Sequence, residues 1–173
     1  LRWDKAGASI GVIIAHYKEA LGSVVSSASG LLEYAKSMDG KDAFAIKLLL
    51  RSGETYVARA KWYYDDMENQ GTIGLLKRVY DYFLEEKVSD NFIKKLEKGL
   101  QGLILDSLPP WIFKSELRRV LGRSLSNNLS DREREEIKND LYEILITLFE
   151  DVGYDDMMGL LKIIAFMNRG GLE

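Results

Sequence analysis

Apolar residues near the start of the chain recur at alternating intervals of four and three positions. Because an α-helix repeats every 3.6 residues, these positions fall on one face of a helix. Small residues stand behind this face at every fourth position, which would allow another helix to approach closely. The pattern predicts one long amphipathic helix over residues 8–36. Its apolar positions are Ile10, Ile14, Tyr17, Leu21, Val24, Ala28, Leu31 and Ala35.

The rest of the chain repeats the same kind of pattern in shorter segments. Apolar positions at helical spacing predict further helices at 42–51, 54–70, 72–83, 89–103, 111–122, 130–153 and 155–168. Ser130 and Glu133 form a capping box for one of these helices. No run alternates clearly in the way of a strand. We therefore expect an all-α fold, a compact bundle of seven or eight helices that begins with a long amphipathic helix.

The length of 173 residues fits a single helical domain over residues 1–173, large enough to bury a substantial core. The chain has two prolines, and they are adjacent at Pro109 and Pro110. A proline at the first helical position suits the start of a new helix. If the domain is subdivided, this pair predicts the boundary, with parts at 1–108 and 109–173.

Composition limits the class of protein. The 24 basic and 27 acidic side chains leave a net charge of -3, unlike the strongly basic balance of a dedicated nucleic-acid binder. The absence of cysteine excludes disulfides, iron–sulfur clusters and thiolate zinc sites. Charges interrupt every apolar stretch before it reaches the roughly 18–20 residues of a transmembrane helix. We expect a cytoplasmic protein without a transmembrane segment.

Few residues point to chemistry. His16 is the only histidine, which removes most nucleophile–base pairs and every multi-histidine metal site. Asp65, Asp66 and Glu68 stand at a spacing that can hold a divalent cation, although a solvated helix end explains them more simply. The sequence therefore predicts no catalytic residue, no cofactor and no metal site, and the protein is expected not to be an enzyme.

The helix after the double proline carries the best candidate for a binding site. Four cations stand here beside an aromatic side chain; the five residues are Trp111, Lys114, Arg118, Arg119 and Arg123. This combination can contact phosphates and stack on bases, or bind an acidic protein partner. The alternative is an intramolecular charge complement, since residues 131–156 hold ten acidic side chains against three basic ones.

The small residues of the first helix form a second candidate, a helix-packing interface made by Gly22, Ser26, Ala28 and Gly30. Packing signals outnumber chemical ones, so the leading hypothesis is a non-enzymatic helical protein-interaction module, either a small subunit of a larger complex or a homo-oligomer. The second hypothesis is an accessory subunit that binds RNA or DNA through the basic helix at 111–123. The third is a carboxylate enzyme that depends on a divalent metal.

Overall fold

A computed structural model describes residues 7–64, 71–89, 91–100 and 109–170. The chain divides into two compact units, Leu1–Ile73 and Gly74–Glu173. The Pro109–Pro110 pair lies inside the second unit. The elements, in chain order, are β1 (Ile10–Ala15), α1 (Leu21–Lys36), β2 (Ala43–Leu49), β3 (Thr55–Lys61), α2 (Gly71–Leu84), α3 (Asn91–Leu100), α4 (Pro110–Gly122) and α5 (Asp131–Asn168).

The predicted all-α bundle of seven or eight helices is wrong. The described residues form five helices and a three-stranded sheet. The long helix predicted over 8–36 is β1, a turn and the shorter helix α1, while the helices predicted at 42–51 and 54–70 are replaced by β2 and β3. Short apolar runs rich in Ile and Val fit a strand as well as a helix, and pairing with neighbouring strands decides between them.

The first unit is built on a βαβ crossover followed by a hairpin. β1 pairs in parallel with β2, from Ile10 opposite Phe44 to Ala15 opposite Leu49, and α1 supplies the connection that parallel neighbours require. β2 then pairs antiparallel with β3, with Ala43 opposite Lys61. Since β2 has a partner strand on both sides, it is the central strand of the order β1-β2-β3.

Helix α1 packs closely on one face of this sheet. Leu31, Ala35 and Ala45 are buried together between the helix and the sheet. Gly11 of β1 allows the approach, because a Cβ built on it would lie only 3.0 Å from the backbone nitrogen of Leu32. The opposite side of α1 is open, and a Cβ added to Gly30 would meet no atom within 4 Å.

The second unit is helical, and here the expected segments and the structure agree. The Ser130 hydroxyl accepts a hydrogen bond from the Glu133 backbone N–H (3.3 Å), and the Glu133 carboxylate accepts one from the Ser130 N–H (2.9 Å), so the capping box is confirmed. Gly153, at φ 79°, interrupts α5 where a helix end was predicted. The last segment is a core helix, with Met157, Met158, Leu160, Leu161, Ile163 and Ile164 buried.

We expect Gly30→Ala to raise the free energy of unfolding by about 0.5–1 kcal/mol, because alanine removes the entropic cost of a glycine inside a helix without new contacts. Gly11→Ala is the matched variant and should lower the same free energy by roughly 1–3 kcal/mol, because its methyl group presses on the α1 backbone. Urea denaturation of both variants measures the difference. Equal effects would mean that α1 does not approach the sheet at Gly11.

Ser130→Ala should lower the free energy of unfolding by about 1 kcal/mol at neutral pH, as expected for a lost N-cap. Hydrogen bonds from the Ser130 hydroxyl, and then from its backbone N–H, lower the pKa of Glu133. Stabilisation from such a depressed pKa is present above the unfolded-state value and is lost as the pH falls through the folded-state value. The deficit of the variant should therefore shrink in acid. Ser115→Ala, on the exposed side of α4, serves as the control in urea denaturation at both pH values.

Candidate nucleic-acid interface

Helix α4 carries four of the five binding residues that the sequence predicted, and the fifth, Arg123, is its C-cap residue. The buried stripe of the helix decides where these residues lie. Phe113, Leu117, Val120 and Leu121 are buried, and the ring of Phe113 stacks on that of Phe149 in α5 with 4.0 Å between the ring centroids. The opposite side of the helix is therefore solvent-facing. Trp111 lies there with 68% of its surface exposed.

Lys114 and Arg118 lie on the side of α4 that faces α5. Lys114 forms an ion pair with Glu150 at 2.8 Å, and the hydrogen bond that its ammonium group donates to this carboxylate raises the pKa of the lysine. The Arg118 guanidinium lies over the ring of Tyr142, 4.5 Å from its centroid. Lys114 thus has an intramolecular acidic neighbour of the kind that the alternative interpretation proposed, and Arg118 has an aromatic one.

Arg119 and Arg123 lie on the other side of α4, next to α3. Together with Lys95 and Lys98 of α3 they line a cleft of about 410 Å³, which we call the basic groove. The sequence analysis missed the two lysines. They occupy the exposed side of α3, opposite the buried residues Phe92, Ile93, Leu96 and Leu100. The helical pattern could therefore predict that the two lysines face away from the core, but not that they lie next to Arg119 and Arg123.

The carboxylate of Glu116 lies beside the basic groove. Arg119 Nε donates to Glu116 Oε2 at 2.7 Å, and a second bond joins the guanidinium to Oε1. This pairing with Arg119 is the main cause that lowers the pKa of Glu116. The carboxylate lies against Gly99 of α3, where any Cβ would overlap it. Glu97, also on α3, instead pairs with Lys162 of α5 at 2.7 Å.

Arg123 also lines a second cleft, of about 480 Å³, beside the basic groove. Lys95 Nζ donates to the Arg123 carbonyl at 3.1 Å, which holds the backbone at the end of α4. The following loop is tied to the segment after α2, because Ser89 N donates to Ser124 O and Ser126 N donates to Lys87 O, both at 2.9 Å. We call this second cleft the polar cleft. Its polar lining residues are Glu86, Ser89, Arg123, Ser124, Ser126, Asn127 and Asn168.

The predicted helix-packing residues lie on α1 in the first unit. Gly22, Ser26 and Gly30 are exposed, and Ala28 is half-buried. A Cβ at Gly22 or Gly30 would meet nothing within 4 Å. The described part of the chain therefore leaves this side of α1 uncovered, and its role as a protein contact stays a prediction.

The remaining candidates from the sequence are the acidic residues at 65–68 and the single histidine. Asp65, Asp66 and Glu68 fall outside the described residues. His16 lies in the turn after β1, where its Nδ1 accepts a hydrogen bond from Lys18 N at 3.2 Å. Within the described ranges, no group of three His, Asp or Glu side chains could hold a metal ion. In the same ranges, no helix has both the length and the apolar character needed to cross a bilayer.

Comparison with known proteins gives a short similarity. No protein-family model matches the chain. The chain is 44% identical over 55 residues to the CRISPR system Cmr subunit Cmr2 of Pyrococcus furiosus. The aligned stretch is 31% of this chain and 6% of that protein, so the chain spans only a small part of the length of this relative.

We expect Arg119→Gln to raise the pKa of Glu116 toward the ordinary glutamate value, because the variant loses the guanidinium that favours the ionised carboxylate. Carboxyl-carbon NMR titration measures this pKa directly. Arg132→Gln is the control, since Arg132 pairs with Glu136 on α5 rather than with Glu116. An unchanged Glu116 pKa in the Arg119 variant would show that the pair does not persist in solution.

Proposed function

We propose that this chain is part of a subunit of a multi-protein CRISPR assembly of the Cmr kind, and that its helical unit contacts nucleic-acid phosphates through the basic groove. The observation that carries the proposal is the meeting of Lys95, Lys98, Arg119 and Arg123 around one cleft. Two hypotheses from the sequence are joined here, the complex subunit and the nucleic-acid contact.

The charge around the groove supports phosphate binding. Four cations face one nearby carboxylate, Glu116, so the groove stays positive although the whole chain has a net charge of -3. Among the described residues, the side chains of Lys98 and Arg123 form no ion pair. Neutralising phosphates with such side chains releases counterions from the nucleic acid, which drives binding and makes it sensitive to salt.

Trp111 and Arg118 extend the proposed contact along α4. The exposed indole of Trp111 offers an aromatic face on which an unpaired base can stack. Arg118 follows Trp111 by seven residues, which is about two helical turns, so the two residues lie on the same side of α4. Lys114 adds less in this proposal, because its ammonium group already pairs with Glu150.

The similarity to Cmr2 supports the assembly part of the proposal. That protein's name describes a subunit of a CRISPR system, and effector complexes of CRISPR type hold nucleic acid in positively charged channels that recognise its backbone. A basic groove fits a subunit that positions a strand. The aligned fraction is small, so the activity of the whole relative is not carried over.

We expect Arg119→Gln combined with Arg123→Gln to weaken binding of a 20-nucleotide RNA by at least about tenfold near 100 mM salt. The slope of the logarithm of the binding constant against the logarithm of the salt concentration should fall by the equivalent of about two phosphate contacts. Fluorescence anisotropy over a series of salt concentrations measures both quantities. The double variant removes two positive charges from the groove.

The matched control is Lys77→Gln combined with Arg132→Gln, which removes two positive charges from exposed ion pairs with Asp81 and Glu136, on α2 and α5. This control should retain most of the affinity. If both double variants lose affinity equally, only net charge matters and the groove is not the site. If the unmodified protein binds no RNA at low salt, the nucleic-acid part of the proposal is wrong.

A further inference from the structure

The polar cleft adjoins the basic groove, and Arg123 lines both. Its volume of about 480 Å³ falls within the range of small-ligand sites, roughly 300–1,000 Å³. Apolar side chains, Phe83 and Val88, contribute to its walls, and Asn127 and Asn168 supply amide groups that both donate and accept hydrogen bonds. The cleft therefore combines an apolar surface with polar groups that can fix the orientation of a flat, polar ligand.

Ser124 gives the independent sign that something binds here. Its side chain lines the cleft and only 3% of the residue is exposed. Among the described residues, its hydroxyl oxygen has no hydrogen-bond partner. Buried polar groups nearly always have a partner, because leaving one unsatisfied costs free energy. A bound molecule with a donor or acceptor would satisfy this hydroxyl.

The wall that holds Ser124 is fixed by the fold. Two backbone hydrogen bonds of 2.9 Å tie it to residues 87–89, and a β-bridge joins Val88 to Leu125. The side chains at the cleft therefore stand on a backbone that is held before any ligand arrives. Such a preorganised site loses less conformational entropy when it binds.

We propose that the polar cleft takes one unpaired base of a nucleic-acid strand whose phosphates lie in the basic groove, so that the strand is single-stranded where it crosses Arg123. This inference rests on the proposed function and deepens it. In this arrangement Arg123 contacts the phosphate next to the inserted base, because this residue lines both clefts. A duplex cannot supply this base, since its bases are stacked and paired, whereas splayed bases of single strands are open to side-chain contacts.

Glu86 gives the cleft a chemical preference among bases. Glu86 lines the polar cleft but not the basic groove, and a carboxylate there would repel phosphate and accept hydrogen bonds. Carboxylates accept from the cytosine N4 amino group, while uracil presents a carbonyl oxygen at the same ring position. Cytosine should therefore bind better than uracil, a base of the same size.

The test compares 12-nucleotide oligo(C) and oligo(U) RNA by fluorescence anisotropy with the full chain. We expect oligo(C) to bind about fivefold more tightly, within the discrimination of one good base contact. Glu86→Ala and Ser124→Ala should bring the ratio close to one and leave the salt dependence unchanged, because neither residue contacts phosphate. Glu85→Ala is the matched control, since Glu85 precedes Glu86 and pairs with Lys87 outside the cleft lining.

Each other result overturns the inference in a distinguishable way. Salt-dependent binding with equal affinity for oligo(C), oligo(U) and an abasic strand would remove the base site and leave the proposed function standing. No salt-dependent binding of any strand would remove both. Equal affinity for a duplex would exclude the unpaired base. If oligo(C) still binds more tightly than oligo(U) in both Glu86→Ala and Ser124→Ala, the preference for cytosine arises outside the polar cleft. Cytidine 5′-monophosphate binding as tightly as the oligomer would identify a free nucleotide as the occupant.

Discussion

Burial of one apolar stripe on α4 fixes the position of every charge on that helix. Phe113, Leu117, Val120 and Leu121 are each at most 1% exposed, so the helix has no freedom to rotate without exposing large side chains to water. This constraint divides the three cations of the helix, together with Arg123 at its C-cap, between two neighbours. Lys114 and Arg118 fall beside α5, where an acidic and an aromatic side chain receive them, and Arg119 and Arg123 fall beside α3. A cluster that is continuous in the sequence is thereby split in space.

The pairing of nearby carboxylates explains why a positive groove persists in a protein with a net negative charge. Glu97 and Glu150 are both taken into ion pairs that connect α5 to its neighbours, with Lys162 and Lys114 respectively. Glu116 lies beside the groove, where Arg119 holds it against Gly99. These exposed pairs contribute little to stability. Their effect is instead to hold acidic side chains away from the groove, because carboxylates that pair at α5 do not neutralise the cations beside α3.

The sequence predicted the helical unit well and the first unit poorly, for a physical reason that Gly11 illustrates. Gly11 is one of the small residues behind the apolar face, whose spacing predicts the close approach of another helix. A helix does approach it, but Gly11 belongs to a strand and the helix is α1, from the same predicted segment. Alternate spacings of four and three cannot separate a strand, a turn and a helix from one long helix when the strand has only six residues. The capping box at Ser130 was predictable because its partners are three residues apart. Lys95 and Lys98 could not be joined to Arg119 and Arg123 in the same way, because only tertiary packing brings α3 beside α4.

In the proposed binding mode, different groups at the end of α4 supply affinity and specificity. Phosphate contacts position a strand and carry no sequence information, whereas contacts to base edges carry the information and add little salt dependence. Arg123 stands at the border of the two clefts, and its carbonyl is held by Lys95, a residue of the basic groove. The groups that line the polar cleft follow directly in the chain, on a loop tied to residues 87–89. Because Arg123 and Ser124 are adjacent in the chain, the proposed phosphate contact and the proposed base contact would be held by neighbouring residues of one loop.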